Sequence, residues 1–291
     1  MGCYIHQFDR KLTAILKTYN QEDTVEAAVE SMLNQNTNFD YTIMILDDCS
    51  TDKTSAICSD YAKKHPEKIV HICQKKNLGV TSNYRDGLNR IRSSFIAVLE
   101  GDDLWTDANK LQLQVDAMEE NPECLIGGHD TLVVNLNTGR RSLFIGGRAD
   151  TEKQIIFSGP PGPFRMHPSS RIYRNHDCLR NLPKNLLFDT HLYRHFMMLG
   201  KGIYLNRNMS THHITGQGFW SGRKKIDRKI FSINLAYEAC RYYNFEQDRL
   251  ICKSKNFLGL LKSMFGPAIG WKVYHSTYLF YLKLRKIFSH K

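Results

Sequence analysis

The sequence predicts an α/β fold built on a parallel sheet with helices packed against it. Short apolar runs and helix-period segments alternate through the first 100 residues. Each strand–helix unit has the length that returns the chain, right-handed, beside its previous strand. Polar, acid-rich clusters follow directly on the strands, and in such sheets ligands bind beyond the carboxyl ends of the strands.

Leu12 to Leu16 is an apolar run with the character of a buried strand, and Thr18-Tyr19-Asn20 follows it. Asp23 to Gln35 puts Val25, Ala28, Val29, Met32 and Leu33 on one helical face. Tyr41 to Leu46 is a second strand that runs into Asp47-Asp48, and Ser50-Thr51-Asp52 caps a helix over Thr54 to Lys64. Ile69 to Cys73 is a third strand and Thr81 to Ile91 a third helix. Phe95 to Leu99 is a fourth strand, ending in Glu100-Gly101-Asp102-Asp103. Lys110 to Asn121 reads as a helix stopped by Pro122, and Leu125 to Asn135 as a strand. The pattern loosens from about Gly139, and the breaker-rich stretch from Ser158 to Pro163 is a loop. Arg171 to Arg174 fits a strand, and Thr190 to Leu199 a helix closed by Gly200.

A hydrophobic content of 42% is enough to bury a core, which excludes a disordered chain. No stretch reaches the roughly 18–20 apolar residues that span a bilayer. Met1 to Arg10 lacks the basic-then-apolar order of a signal peptide, and His6 stands where an acylation start wants Ser or Thr. A cytoplasmic location is therefore expected. The eight cysteines form no C-x-x-C pair, which argues for reduced, mostly buried thiols over zinc or disulfides. The net charge is +11, and nine of the bases follow the last acid, Asp248. A basic C-terminal face needs an acidic partner. The confinement of the bases mainly to the tail and the lack of a zinc-finger or RNA-recognition motif argue against nucleic acid as that partner, so none is expected.

Two adjacent carboxylates at a strand end, with a third two residues upstream, are costly unless a positive group sits with them, and Mg²⁺ or Mn²⁺ takes oxygen ligands. The plainer alternative is a helix cap, with Asp102 or Asp103 opening a helix near Leu104. Asp47 to Asp52 is open in the same way: a turn and cap, or acceptors for a nucleobase or ribose.

Together the motifs resemble glycosyltransferase family 2. Thr18-Tyr19-Asn20 matches its first strand end, and Asp47-Asp48-Cys49-Ser50-Thr51-Asp52-Lys53-Thr54 its D-D-G-S-x-D-x-T segment. Asn77-Leu78-Gly79-Val80-Thr81, with Asn83 and Gly87, is similar to a third motif, and Glu100-Gly101-Asp102-Asp103-Leu104-Trp105 to the D-x-D type with its trailing Trp. The likeness is strong over about residues 10 to 130 and thinner to about 222. It implies a GT-A fold: a Rossmann-like α/β/α sandwich with a mixed, mainly parallel sheet. Residues 1–222 would form the catalytic domain, with a nucleotide-binding half over about 10–105 and an acceptor half over about 106–222. Residues 223–291 would form a basic, aromatic-rich helical extension.

The resemblance also implies roles. Asp48 and Asp47 would hold the base or ribose, and Thr18, Tyr19 and Asn20 would shape the base pocket. Asn77, Gly79 and Asn83 would complete the nucleotide-sugar site. Asp102 and Asp103 would bind Mn²⁺ or Mg²⁺ and the diphosphate, with Glu100 as the first acid of the motif. Asp189, at the start of its helix, would be the catalytic base of an inverting transfer; a plain N-cap is the alternative. The donor would be a nucleotide-diphosphate sugar, UDP-linked first, and the acceptor a saccharide or lipid-linked saccharide, in bacterial-type surface polysaccharide or glycolipid synthesis. An inactive nucleotide-sugar-binding module and a nucleotidyltransferase are the rival classes. The retained acids count against the first, and the lack of an early Gly-rich, Lys/Arg-bearing loop against the second.

Met209 to Gly222 resembles a later family loop near the diphosphate, with His212-His213 in place of Tyr-Arg and Thr215 where a His is expected. His213 is the favoured phosphate contact, since adjacent histidines do not readily face one site. Three departures stand out. Lys17 replaces a Pro, Glu100 replaces an Asp, and Cys49 replaces a Gly, so that turn is expected to avoid positive φ. The tail from Phe257 to Lys291 mixes bases with Trp271, Tyr274, Tyr278 and Phe280, as in segments that lie on anionic membranes. A peripheral place at the cytoplasmic face follows, with a helix packed on the domain as the alternative.

Overall fold

The computed structural model describes residues 10–145, 154–158, 166–182 and 189–215, with 224 and 227 as isolated positions. The chain separates into two compact units, Met1–Thr215 and Gly216–Lys291. The second unit, including the basic tail, falls outside the described residues except at 224 and 227.

Strands β1 (Leu12–Thr18) and β2 (Tyr41–Asp47) are buried at every position, as their unbroken apolar runs require of strands covered on both faces. With β3 (Ile69–Cys73) and β4 (Phe95–Glu100) they form the parallel order β3-β2-β1-β4. The crossovers are α1 (Val25–Leu33), α2 (Thr54–Lys64) and α3 (Val80–Arg90). α1 buries Val25, Ala28, Val29 and Met32, the stripe seen in the sequence. α3 packs closely because Gly87 faces Leu46, whose side chain a Cβ would overlap. The register aligns Thr18 with Asp47 and Lys17 with Glu100, so three polar strand ends share one rim. From β1 the chain steps outward to β2 and β3, then returns to the other side as β4. The switch point for ligand binding thus lies between β1 and β4.

The second half extends the same sheet. Beyond β4 the order continues β9-β6-β10-β5, where β5 is Asp103–Trp105, β6 Cys124–Asn135, β9 Ile172–Arg174 and β10 Lys201–Ile214. β6 and β10 are parallel, while β9 and β5 join antiparallel, giving the mixed, mainly parallel sheet. Two short strands, β7 (Arg141–Leu143) and β8 (Gln154–Phe157), pair with β6 and β10. The remaining helices are α4 (Lys110–Glu120), α5 (Cys178–Asn181) and α6 (Asp189–Leu199).

Three local expectations change. Asp102-Asp103 caps no helix: Asp103 starts β5, because residues 103–105 find a partner in β10. Met209 to Ile214 is strand, not loop. Cys49 sits at φ 65°, so the turn keeps the left-handed conformation that the missing glycine would favour. Its neighbours hold it there: Asp48 N donates to Thr18 O at 3.1 Å, and Ser50 donates to Asp47 Oδ1 from its N (3.1 Å) and its Oγ (2.5 Å). Of the thiols described, Cys58 and Cys124 are buried, Cys49 is half-buried and Cys73 is exposed; all are free.

Candidate active site

The first two strand ends are tied together by their own polar groups. Asn20, at φ 51°, accepts from Thr51 N through Oδ1 at 2.8 Å and donates its N–H to Ser50 Oγ at 2.9 Å. Gln21 N donates to Thr54 Oγ1 at 2.7 Å, and Lys53 N to Glu22 Oε2 at 2.9 Å. Tyr19 stands out from this loop at 45% exposure, a ring face open to a planar ligand. Thr18 is buried; its Oγ1 and the nearby Gln21 Oε1 have no hydrogen-bond partner among the described residues.

Asp47 is fully buried and accepts from Ser50. Asp48 spends both oxygens on backbone, accepting from Leu78 N at 2.7 Å and Gly79 N at 2.9 Å. Burial pushes its carboxyl up, opposed by those two bonds. Asp48 thus fixes the turn into α3, with Gly79 at φ 81° and Asn77 Oδ1 accepting from Gly79 N at 3.0 Å. Asn83 points inward, donating to Leu46 O and accepting from Gln74 Nε2. Hydrogen bonds to a charged acceptor contribute about 1.5–3 kcal/mol each, so losing two of them in Asp48→Ala is expected to cost about 3–6 kcal/mol of stability in urea unfolding. Wild-type stability in that variant would mean the loop is held by other contacts.

The acid cluster is built across four elements. β5 lies antiparallel to β10 with Asp103 opposite His212. Asp103 is fully buried; its Oδ1 meets His212 Nδ1 at 2.7 Å, and its Oδ2 accepts from Ser169 Oγ. His167 Nδ1 lies 3.7 Å from Asp103 Oδ2, and its ring centroid is 4.4 Å from that of His212. Ser169 belongs to a single 3-10 turn, Pro168–Ser170, entered from His167, whose ring nitrogen accepts from Ser169 N. Trp105 Nε1 donates to Ser169 O at 2.9 Å and Gln114 Nε2 to Ser170 O at 2.8 Å. Lys110, fully buried, donates to Gln114 Oε1 at 2.6 Å, and its ammonium is 4.0 Å from the Trp105 ring centroid.

Burial and the Asp103 charge push the Asp102 carboxyl up to about 6. Burial pushes Asp103 the same way, but the hydrogen bond to His212 and the neighbouring imidazoles win and hold it below the usual carboxylate range. Burial disfavours a charged His212, yet its bond to Asp103 and the nearby carboxylates raise it above an ordinary histidine.

Asp103, His167 and His212 offer ligand atoms that all lie within 4.8 Å of one another. That set fits a divalent cation, with His167 and His212 beside Asp103 where the sequence pointed to Asp102. Asp102 is the more open neighbour, and its carbonyl accepts from His213 Nδ1 at 3.1 Å. Both adjacent histidines therefore reach the same segment, against expectation, because one uses the carboxylate of Asp103 and the other the main chain of Asp102. Glu100 pairs with Lys17 at 2.6 Å. Asp189 is the first residue of α6; its side chain lies outside the described residues.

His167, Ser169 and Gln114 escaped sequence reasoning. A usable signal existed in His167-Pro168-Ser169-Ser170: a polar residue ahead of a Pro marks a capped turn. Partners behind a metal ligand change affinity by about 10–100-fold. Ser169→Ala is therefore expected to weaken Mn²⁺ binding about tenfold, measured by calorimetry without donor; unchanged affinity would remove Ser169 from the site.

Comparisons with known proteins add the lineage. Over residues 13–231 the chain matches the model of glycosyl transferase family 2. An uncharacterised protein of Mycobacterium tuberculosis is 28% identical over 217 residues, covering 74% of this chain and 62% of the relative, so the chain spans less than two thirds of that protein. The mannosyltransferase PcManGT of Pyrobaculum calidifontis, solved with GDP-Man and Mn²⁺, superposes with a TM-score of 0.63 at 15% identity, over 92% of this chain and 76% of that one. S. aureus TarS 1-349, solved with UDP-GlcNAc, gives 0.59 at 15% identity over 87% and 81%. At that identity the likeness speaks for the fold, which is GT-A. By its match to the family model over most of its length, the chain belongs to glycosyl transferase family 2.

Proposed function

We propose that this protein transfers a sugar from a nucleotide-diphosphate donor to an acceptor hydroxyl with inversion. The observation that carries this is the convergence of three strand ends on one rim beside the Asp103–His167–His212 group. Tyr19, Asn20 and the Asp47–Asp48 loop line the nucleotide end, and the buried oxygens of Thr18 and Gln21 are polar atoms that a ligand or water satisfies. Asp102, Asp103, His167 and His212 face the diphosphate end. Two imidazoles suit Mn²⁺ better than Mg²⁺, which favours oxygen ligands alone. When bound, such a cation stabilises charge on the departing diphosphate. The acceptor oxygen attacks the anomeric carbon as the bond to the diphosphate breaks, and Asp189 takes the hydroxyl proton.

The donor is taken as UDP-linked first, with GDP-linked sugars as the next class, in keeping with the ligands of the two structural neighbours. A panel of UDP- and GDP-sugars with Mn²⁺ or Mg²⁺, read by nucleotide release, tests this; release from no donor, with nucleotide still bound, would point to an inactive module. The acceptor is a saccharide or lipid-linked saccharide of surface polysaccharide or glycolipid synthesis, and the protein works peripherally at the cytoplasmic membrane face. No described helix is long and apolar enough to cross a membrane. The reading rests on the bases and aromatics of residues 257–291. Deleting them is expected to abolish cosedimentation with anionic liposomes at low salt; unchanged cosedimentation would refute the tail as the anchor.

A further inference from the structure

Two departures from the family pattern, Lys17 and Glu100, turn out to be neighbours. They stand opposite each other in the β1–β4 register, at the crevice where the sheet order switches. Lys17 Nζ lies 2.6 Å from Glu100 Oε1, with the lysine side chain 9% and the glutamate side chain 26% exposed. The main chain of Lys17 adds a second grip, its carbonyl accepting from Gly101 N at 2.9 Å. Its ammonium also lies 5.2 Å from the Tyr84 ring centroid, which ties the pair to α3. Glu100 N in turn donates to Ser169 Oγ at 3.4 Å, the same hydroxyl that meets Asp103. One residue therefore clamps both positions immediately ahead of Asp102. The crowding at Gly101, where a Cβ would overlap Gln21 and approach Thr18 Oγ1 to 3.1 Å, leaves that segment little freedom.

We infer that Lys17 is a positioning residue of the donor site and that Glu100 is its partner, not a ligand of the cation. Glu100 is longer than Asp by one methylene, and here that length reaches the ammonium. Among the acids of this strand end, Glu100 is then neutralised by Lys17, as Asp103 is held by His212 and His167. The catalytic consequence rests on the proposed transfer reaction; the pair itself does not.

The test compares Lys17→Met, Lys17→Arg, Glu100→Gln and the Lys17→Met/Glu100→Gln double variant. Removing buried Lys17 leaves the half-buried Glu100 carboxylate uncompensated, so Lys17→Met is expected to raise donor KM about tenfold. Adding Glu100→Gln should bring KM back to within about threefold of wild type, because the stranded carboxylate is gone. Lys17→Arg should stay within about threefold, since it keeps the charge. A merely structural role would lower the melting temperature and leave KM of the folded enzyme unmoved. Mn²⁺ affinity without donor, read by electron paramagnetic resonance, should change less than about threefold in Glu100→Gln. A loss beyond about tenfold would make Glu100 a ligand and overturn the inference. If wild type turns over no donor, the transfer reading fails alone. Unfolding of the four variants then decides the pair: non-additive losses support it, and strict additivity overturns it.

Discussion

Asp102→Ala is expected to lower metal-dependent donor turnover by at least about a thousandfold while leaving the melting temperature within a few degrees of wild type. The size follows from what the carboxylate does. Electrostatic stabilisation of developing charge is the largest single contribution in reactions of this type. Asp102 stands beside the Asp103–His167–His212 group, less buried than Asp103, with its carboxyl raised to about 6 by burial and by Asp103. A group in that state is easily turned to its charged form by a cation and gives up little structure when lost. Its carbonyl, which receives His213, survives the substitution. Nucleotide release should therefore vanish in a protein that still melts cooperatively. Full turnover in Asp102→Ala would remove the carboxylate from the chemistry.

Asp103 does not permit so clean an experiment. It is fully buried, accepts from Ser169 and meets His212, and His167 packs beside it. Truncating it strands buried Ser169 and His167 and half-buried His212, so lost activity and lost fold would arrive together. The two adjacent acids thus differ: Asp103 is the fully buried hub of the hydrogen bonds, and Asp102 is its more open neighbour.

That difference was only half legible beforehand. β1, β2 and β4 were plain because their apolar runs are unbroken and each ends in polar residues, and the rim followed from that placement. β10 was not, because two register shifts between Leu205 and Ser210 break its alternation, and Met209 to Gly222 resembled a family loop. β5 has three residues and begins inside the acid motif, so local sequence left a cap and a metal site equally open. His167 and Ser169 lie more than sixty residues beyond Asp103, and only the tertiary pairing of β4 with β9 brings their turn back to it. Lys17 and Glu100 were visible as two oddities; their compensation needed the strand register. Cys49 misled because a left-handed turn was assumed to require glycine, while three hydrogen bonds from flanking residues hold it there without one.

The second large effect is expected at Asp189. Asp189→Asn should keep donor and Mn²⁺ binding within about twofold and lose sugar transfer by about 10²–10⁴, the range for removing a general base. The substitution separates the two roles the residue was assigned. Asn serves a helix start as well as Asp does, so α6, which opens at this position, should be retained. What Asn lacks is a basic oxygen to take the acceptor proton. A role confined to capping therefore predicts normal turnover, and a role as base predicts a dead enzyme with an intact helix. The kinetic form matters as much as the size: kcat should fall with donor KM nearly unchanged, because the lost interaction forms only as the acceptor hydroxyl gives up its proton. A rise in donor KM with kcat preserved would place Asp189 in donor binding and require another base for the transfer.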